Sequence, residues 1–338
     1  MSKPVTPGDP APYFTARTAN APQFSFDVCG GRWLVVGFVG PDAVARAFDR
    51  RVFDDRHASL FAVRAADDVA QSIPGLRVFI DPEAEIAAAF GRSEGWVVVD
   101  PEMRVHAILP ADADVARLVS RLPPAGHHTG LEIQAPILVL PRVFEPAVCE
   151  HLVQLYEAQG GQESGFMREV DGKTTAVQDA RHKVRRDAVI DDPKLRGALQ
   201  ARILDRVVPM IAKAHQFHAT RMERYIVSCY DAADGGHFNM HRDNTTSGTA
   251  HRRFAVSINL NDGFEGGAVS FPEYGPRGYK APAGGAVVFS CSLLHMVSKV
   301  TEGRRYAFLP FLYDDAAAEV RAANNVNLAE GVASYRGG

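Results

Sequence analysis

The chain has 338 residues, a formal net charge of −3 and ordinary hydrophobic content, which is enough for two domains with separate cores. Near-neutral charge gives no reason to expect nucleic acid or an acidic membrane as partner, and no stretch is long and apolar enough to span a bilayer. Cys29, Cys149, Cys229 and Cys291 lie far apart and form no CxxC pair, so a disulfide framework is not expected. With no apolar leader at the start of the chain, the expectation is a cytoplasmic protein.

The first strong signal is Trp33-Leu34-Val35-Val36-Gly37-Phe38-Val39, an unbroken apolar run of the kind a strand buried on both faces requires. A helix is expected over 43–53, with Asp42 as its N-cap. Strands follow at 60–64 and 77–80, then a helix over 83–90 stopped by Gly91. A hairpin over 95–109 turns at Asp100-Pro101-Glu102-Met103. Alternating strands and helices predict an α/β unit. The Pro/Gly-rich run 121–130 breaks the pattern, and the expected division is a first domain over 1–122, a linker over 123–132, a second domain over 133–316 and a tail over 317–338.

Past the linker, a short strand near 135–141 leads into a helix to about residue 158. Residues 160–183 are polar and weakly patterned and read as a loop. A long amphipathic helix is expected over 193–215. The period then changes to two, with strands at 223–230, 238–242, 253–260, 268–271, 286–290, 294–299 and 305–313, punctuated by glycine pairs. Many short strands of this kind predict a β-sandwich or barrel buttressed by the preceding helices.

His241 and Asp243 lie two apart on one of these strands and so share a face. With a distant second histidine they would form a 2-His-1-carboxylate set, and His295 on a later strand is the natural third member. Fe(II) and Zn(II) both accept such ligands. Of the adjacent Arg304 and Arg305, strand alternation groups Arg305 with Ala307, Leu309 and Phe311 and favours it as the inward one. A fixed guanidinium fork there suits a dicarboxylate. Phe238, Asn244, Arg186, Arg252 and Tyr274 are candidates for the rim of the site.

Two family resemblances overlie these readings. Gly8-Asp9-Pro10-Ala11-Pro12-Tyr13-Phe14, Phe24-Ser25-Phe26, Gly31-Arg32-Trp33, Ile80-Asp81-Pro82-Glu83 and Val98-Val99-Asp100-Pro101 resemble peroxiredoxins over about 6–122. That resemblance implies a thioredoxin-like fold. The region that would carry the peroxidatic cysteine reads Gly40-Pro41-Asp42-Ala43-Val44-Ala45-Arg46-Ala47 and has no cysteine, so the domain is expected to be non-catalytic. Homodimerisation or substrate presentation is left as its role.

The second half, over about 133–314, resembles the prolyl-4-hydroxylase-type 2-oxoglutarate/Fe(II) dioxygenases. The matching residues are Tyr230-Asp231, Gly235-Gly236-His237-Phe238, His241-Arg242-Asp243, the 254–262 strand, Gly266-Gly267, Gly284-Gly285, His295 and Gly303-Arg304-Arg305. The resemblance implies a double-stranded β-helix (jelly roll), His241, Asp243 and His295 as iron ligands, and Arg305 as the partner of the distal carboxylate of 2-oxoglutarate. It puts Tyr230 beside that cosubstrate. Asn259 stands where the family commonly has a tyrosine. Fe(II), 2-oxoglutarate and O2 are then the expected cofactors, with ascorbate as reductant. The expected reaction is hydroxylation of a C–H bond in a peptide residue or a small amino-acid-like molecule, with release of succinate and CO2. A thiol-dependent redox protein and a non-catalytic scaffold are the competing readings.

Overall fold

The computed structural model describes residues 3–65 and 72–335. It divides into two compact units: Met1–Ala135 with Phe271–Arg277, and Pro136–Ser270 with Gly278–Gly338.

The first unit is built on one seven-stranded sheet. Its strands are β1 (Thr15–Thr18), β2 (Ala21–Ser25), β3 (Trp33–Phe38), β4 (Ala58–Arg64), β5 (Leu76–Ile80), β6 (Gly95–Val99) and β7 (Val105–Leu109). Its helices are α1 (Pro41–Ala47), α2 (Glu85–Phe90) and α3 (Val115–Val119). The spatial order is β2-β1-β5-β4-β3-β6-β7, with β3, β4 and β5 parallel and the flanking pairs antiparallel. Strand β3 is buried throughout because alternate side chains feed two cores. Leu34 and Val36 join Phe26, Phe61 and Phe79 on one face, while Trp33 and Val35 join Leu60, Trp96 and Val115 on the other. Helix α2 starts where the Asp81 carboxylate accepts from the backbone N–H groups of Glu85, Ile86 and Ala87, and it ends at Gly91 with φ 60°. The helix expected over 43–53 is shorter: only α1 forms, and Asp42 lies inside its first turn while Gly40 takes the cap position.

The second unit begins with β8 (Leu138–Leu140), α4 (Pro146–Gln159), β9 (Gln162–Glu163), β10 (Phe166–Val170), β11 (Lys173–Val177), β12 (Lys183–Val184) and β13 (Arg186–Val189). Helices α5 (Pro193–Arg206) and α6 (Val208–His215) follow, then β14 (Arg221–Glu223), β15 (Ile226–Asp231), β16 (His237–His241), β17 (Phe254–Asn259), β18 (Phe264–Gly266), β19 (Val269–Ser270) and β20 (Gly278–Tyr279). The run closes with β21 (Ala286–Ser290), β22 (His295–Val297), β23 (Val300–Phe308), β24 (Phe311–Tyr313) and α7 (Asp315–Ala323). One sheet is ordered β14-β24-β17-β23-β15-β13-β9, extended by β21 and β8; a second is ordered β12-β16-β22-β19-β20. The arrangement is a jelly roll. Leu152, Leu199, Ile203 and Ile211 of the helices pack on Val227, Ile258, Val288 and Phe308 of the large sheet. The neighbours Ser257, Tyr230 and Arg305 point from the same strands to the opposite face, toward the second sheet.

Four elements of this second unit also differ from expectation, each for a local reason. The helix expected over 193–215 is two helices: Pro209 supplies no N–H to the helical ladder, and the chain breaks at Val207. The 160–183 stretch is not a plain loop, since β10 and β11 form a hairpin. Its turn is Asp171-Gly172, both at positive φ, which is the backbone a two-residue hairpin needs. The strand expected over 305–313 is split around Leu309-Pro310. The segment read as a tail starts with helix α7, whose N-terminus is capped by Asp314 accepting from the Ala317 N–H.

In the first unit Asp55 takes both nitrogens of the Arg77 fork, at 2.6 and 2.9 Å, and also the Ser59 hydroxyl and the Gly75 N–H. Burial pushes its pKa up, but these four donors outweigh burial and hold it at about 2, against an ordinary 3.8. A depressed carboxylate pKa stabilises the fold above the ordinary value and loses that contribution as pH falls through the depressed one. Asp55 sits at φ 64°, a conformation that Asn tolerates, so Asp55→Asn removes the charge without backbone strain. With discount for solvent exposure, the variant is expected to be about 1 kcal/mol less stable at pH 7. Urea denaturation should show that difference shrinking between about pH 4 and pH 2.

Candidate metal centre and buried arginine

Two cross-strand pairs assemble the site. His241 on β16 is the direct partner of His295 on β22, and Tyr230 on β15 is the direct partner of Arg305 on β23. Asp243 follows His241 by two residues, and one nitrogen from each histidine and one oxygen of Asp243 all lie within 4.8 Å of one another.

The histidine tautomers follow from their partners. His241 Nδ1 is 2.7 Å from the Asn239 carbonyl, and His295 Nδ1 is 2.9 Å from the Leu293 carbonyl. A carbonyl only accepts, so each ring carries its proton on Nδ1 and turns the Nε2 lone pair inward. These nitrogens stand 3.6 and 3.4 Å from the two oxygens of Asp243. Three acceptors aimed at one point repel one another, and a cation at that point converts repulsion into coordination. Burial, reinforced by His295, pushes the pKa of His241 well below its ordinary 6.5, which keeps the ring in the neutral form that ligates metal. The Phe238 ring stacks on His241 at 3.5 Å between centroids, and Phe289 packs 4.6 Å from His295. Both fix the imidazoles and keep water from their faces.

Arg305 is 2% exposed and lines the same cavity. Its Nε donates to Asn259 Oδ1 at 2.9 Å and its Nη2 to Ser257 Oγ at 2.7 Å, while Nη1 is buried without a partner. A buried donor left unmatched costs free energy, so this arm is prepared for an acceptor that arrives with a ligand. The Tyr230 ring covers the guanidinium at 5.3 Å. Gly267 makes room for it: a Cβ there would come within 2.9 Å of Arg305 Cδ, and its φ of 63° also favours glycine. Arg304 points the other way and pairs with Asp231 at 2.7 Å, so strand alternation separates the two arginines.

The other expected site residues divide between the cavity and its surroundings. Asn259 is held in place by the structure: one hydrogen of its Nδ2 goes to the Ala281 carbonyl at 2.6 Å, while its oxygen accepts from Arg305 and steers that guanidinium. Of the five rim candidates, Phe238 lines the cavity. Arg186 is exposed and reaches the Gly161 carbonyl, in a groove on the opposite face of the sheet. Arg252 is held by Glu223 at 2.8 Å, lies over Phe311 and donates from Nη1 to the Asp243 carbonyl at 3.4 Å, beside the cavity. Asn244 donates to Ser292, and Tyr274 belongs to the 271–277 segment of the first unit. The cavity is lined instead by Arg185, Arg224, Ser257 and Phe311. Arg185 carries no alternation signal: it lies between β12 and β13, and the buried apolar residues at two-residue spacing, Ala188 and Ile190, share parity with Arg186 instead. Arg224 gives no periodic signal, because it sits at a turn with φ 66°.

Residues 225–313 match the profile of the 2OG-Fe(II) oxygenase superfamily. A PKHD-type hydroxylase of Synechococcus sp. (strain JA-2-3B'a(2-13)) is 28% identical over 155 residues, 41% of this chain and 64% of that one. One from Hyphomonas neptunium is 26% identical over 186 residues, 49% of this chain and 78% of that one. The chain thus spans less than two thirds of the Synechococcus relative's length. Among solved structures, a Pseudomonas putida prolyl-4-hydroxylase aligns with 14% identity over 54% of this chain and 94% of its own, at TM-score 0.39. A Trichoplax adhaerens prolyl hydroxylase in complex with a hypoxia-inducible-factor peptide aligns with 17% identity over 61% and 92%, at TM-score 0.41. The matched domain is that of a 2-oxoglutarate-dependent dioxygenase, and its cofactors are Fe(II), 2-oxoglutarate and O2. The donor set here fits such an ion: two neutral imidazoles and a carboxylate, with room for further ligands.

Removing one donor should therefore weaken metal binding in its own right. Calorimetric titration with Mn(II) is expected to show His295→Ala binding more than ~10-fold more weakly than wild type. Because protons compete with metal for Nε2, Mn(II) affinity should fall as pH is lowered, and burial of His241 delays the competition at that ligand.

Proposed function

We propose that the chain is a 2-oxoglutarate- and Fe(II)-dependent hydroxylase in which His241, Asp243 and His295 hold the iron and Arg305 anchors the distal carboxylate of 2-oxoglutarate. One observation carries this reading: the three convergent donors and the unmatched Nη1 of Arg305 line a single buried cavity. The PKHD-type hydroxylase relatives support it at the level of reaction class. Bound there, iron with 2-oxoglutarate and O2 supplies the oxidising power for C–H hydroxylation, with succinate and CO2 as co-products.

The chain's own groups do the positioning. The Asn239 and Leu293 carbonyls hold the two imidazoles in the ligating tautomer. Asn259 and Ser257 fix two arms of Arg305, so its third arm meets a carboxylate without reorganisation. Tyr230 closes over that guanidinium, and Phe238 and Phe289 keep the metal side dry. The substrate class is a prolyl or other amino-acid residue of a peptide, or a small amino-acid-like molecule, and ascorbate is the natural reductant for iron that falls out of the ferrous state.

In the same reading, 1–122 is a peroxiredoxin-like thioredoxin-fold domain without peroxidatic chemistry, joined through 123–132 to the dioxygenase domain over 133–316. The parallel β3, β4 and β5 strands support that fold. Cys29 speaks against thiol catalysis: it is 1% exposed, and burial pushes its thiol up to about 12, whereas a nucleophilic thiolate needs a low pKa. Substrate presentation or homodimerisation is the role we assign to this domain, and the cytoplasm is the compartment.

The test is succinate formation from 2-oxoglutarate with Fe(II) and ascorbate. Wild type should turn over and His241→Ala should fall to background. Arg305→Gln should raise the KM for 2-oxoglutarate ~10-fold or more, with Arg305→Lys intermediate, because a charge-assisted fork becomes a neutral donor or a point charge. Wild-type protein that binds no 2-oxoglutarate in the presence of Fe(II) would sink the reading.

A further inference from the structure

The charges around the cavity can be matched one by one. Three guanidiniums line it, those of Arg185, Arg224 and Arg305, and so does the Asp243 carboxylate. Arg185 is fully engaged: Nε and Nη2 reach the two oxygens of Asp187 at 2.8 and 2.7 Å, Nη2 also reaches Ser164, and Nη1 faces the Tyr230 hydroxyl. Burial opposes ionisation of Asp187, but Arg185 and Arg224 hold its pKa well below the usual range. In the dioxygenase reading, on which this inference rests, Arg305 takes the distal carboxylate of 2-oxoglutarate. The metal dication is balanced by Asp243 and the other carboxylate of that cosubstrate.

Arg224 is then left over. Its anionic neighbours are Asp187, at 3.7 Å, beyond hydrogen-bond length and already spent on Arg185, and Glu223, already paired with Arg252 and Arg321. It lies 5.2 Å above the Phe311 ring. Its backbone is held at φ 66°, an unfavourable conformation for a side chain of this size, and the φ of such a residue redirects where its side chain goes. Burial, with Arg185 beside it, pushes the guanidinium down to about 10, so it stays charged at neutral pH. A half-buried cation beside a second cation, with no hydrogen-bonded counter-ion, favours an anionic ligand. Lys183, packed over Phe238 at 5.0 Å, adds no negative charge that could relieve it.

We propose that the compound oxidised at this site carries a carboxylate, and that Arg224 holds it within the cavity that contains His241, Asp243 and His295. A planar fork stacked on an aromatic ring recognises a carboxylate bidentately. A free carboxylic acid and an acidic side chain of a peptide present this same group.

Calorimetric titration of the full chain, loaded with Mn(II) and saturating 2-oxoglutarate so that Arg305 is occupied, tests this at constant ionic strength. The probes are propionate against propionamide, and acetyl-Gly-Glu-Gly-amide against its Gln counterpart. Wild type should bind the acid of at least one pair ~10-fold or more tighter than the amide, and Arg224→Gln should lose that preference. Preference in the propionate pair assigns the carboxylate to a small acid; preference confined to the peptide pair assigns it to an acidic residue. Should Arg224→Gln fail to fold, Arg224→Lys makes the same comparison, with a weakened acid preference expected. Equal affinity for acid and amide in both pairs overturns the proposal, as does a preference that either variant leaves unchanged. Failure of Mn(II)-loaded wild type to bind 2-oxoglutarate is seen before any probe is added, and it would overturn the dioxygenase reading instead.

Discussion

The constraint on which the rest of the catalytic unit depends is the convergence of three acceptors, His241 Nε2, His295 Nε2 and the Asp243 carboxylate, in a buried space. Left to side-chain preference, these groups would turn apart. Two backbone carbonyls prevent that, because each pins an Nδ1–H and so fixes the ring that bears it. Asn239 and Leu293 each lie two residues before the histidine they orient, so the tautomer is set by the local course of the chain, at the end of β16 and the start of β22, and needs no distant partner. The stacked Phe238 ring removes the remaining rotational freedom of His241. A site of this kind is preorganised, since the strain of holding like groups together is borne by the fold before any ligand arrives.

Everything around that point follows from the period-two geometry of two sheets. The β16–β22 pair brings His241 against His295, and the β15–β23 pair brings Tyr230 against Arg305. On the large sheet the same strands send Tyr306, Phe308, Val227 and Ile258 into the apolar core under α4, α5 and α6. One alternation thus supplies both the hydrophobic free energy that holds the sheet and the polar lining of the cavity. A one-residue slip of β23 would exchange Arg305 for Arg304 and drop a charge into the core, so the apolar face protects the register of the functional one.

The parts that were legible in the sequence are those that obey this period. His241 and Asp243 were visible as a pair two residues apart, although β16 ends at His241 and Asp243 lies in the turn beyond it, and Arg305 could be chosen over Arg304 by its apolar companions. Arg185 was not within reach of that argument, because the buried apolar companions there, Ala188 and Ile190, share parity with Arg186. The Asp171-Gly172 turn and Pro209 carried their own signals for a hairpin and a helix break. Other features were not legible because their cause is tertiary. Asn259 looked like a donor to a ligand; that its oxygen orients Arg305 while its Nδ2 reaches Ala281 was not visible, because an amide's orientation depends on partners that sequence spacing does not reveal. Arg224 reaches the cavity through a left-handed backbone that no periodicity marks.

The cavity's electrostatics divide its two ends. At the end of Arg305, hydrogen bonds from neutral partners leave one arm open, which suits a ligand that brings its own charge. At the end of Arg185, the charge is already cancelled by Asp187, and that pair also ties β13 to Ser228 of β15. A cancelled pair contributes rigidity and repels nothing, while an uncancelled cation attracts anions and rejects cations by the same field. In the proposed reading Arg224 is the cavity guanidinium whose charge neither metal, cosubstrate nor a hydrogen-bonded protein partner settles. A neutral side chain at that position would leave Asp187 balanced by Arg185 alone and the mouth of the cavity without sign. The physical distinction between the cosubstrate end and the substrate end lies in which guanidinium the fold has left unmatched, and by which kind of partner.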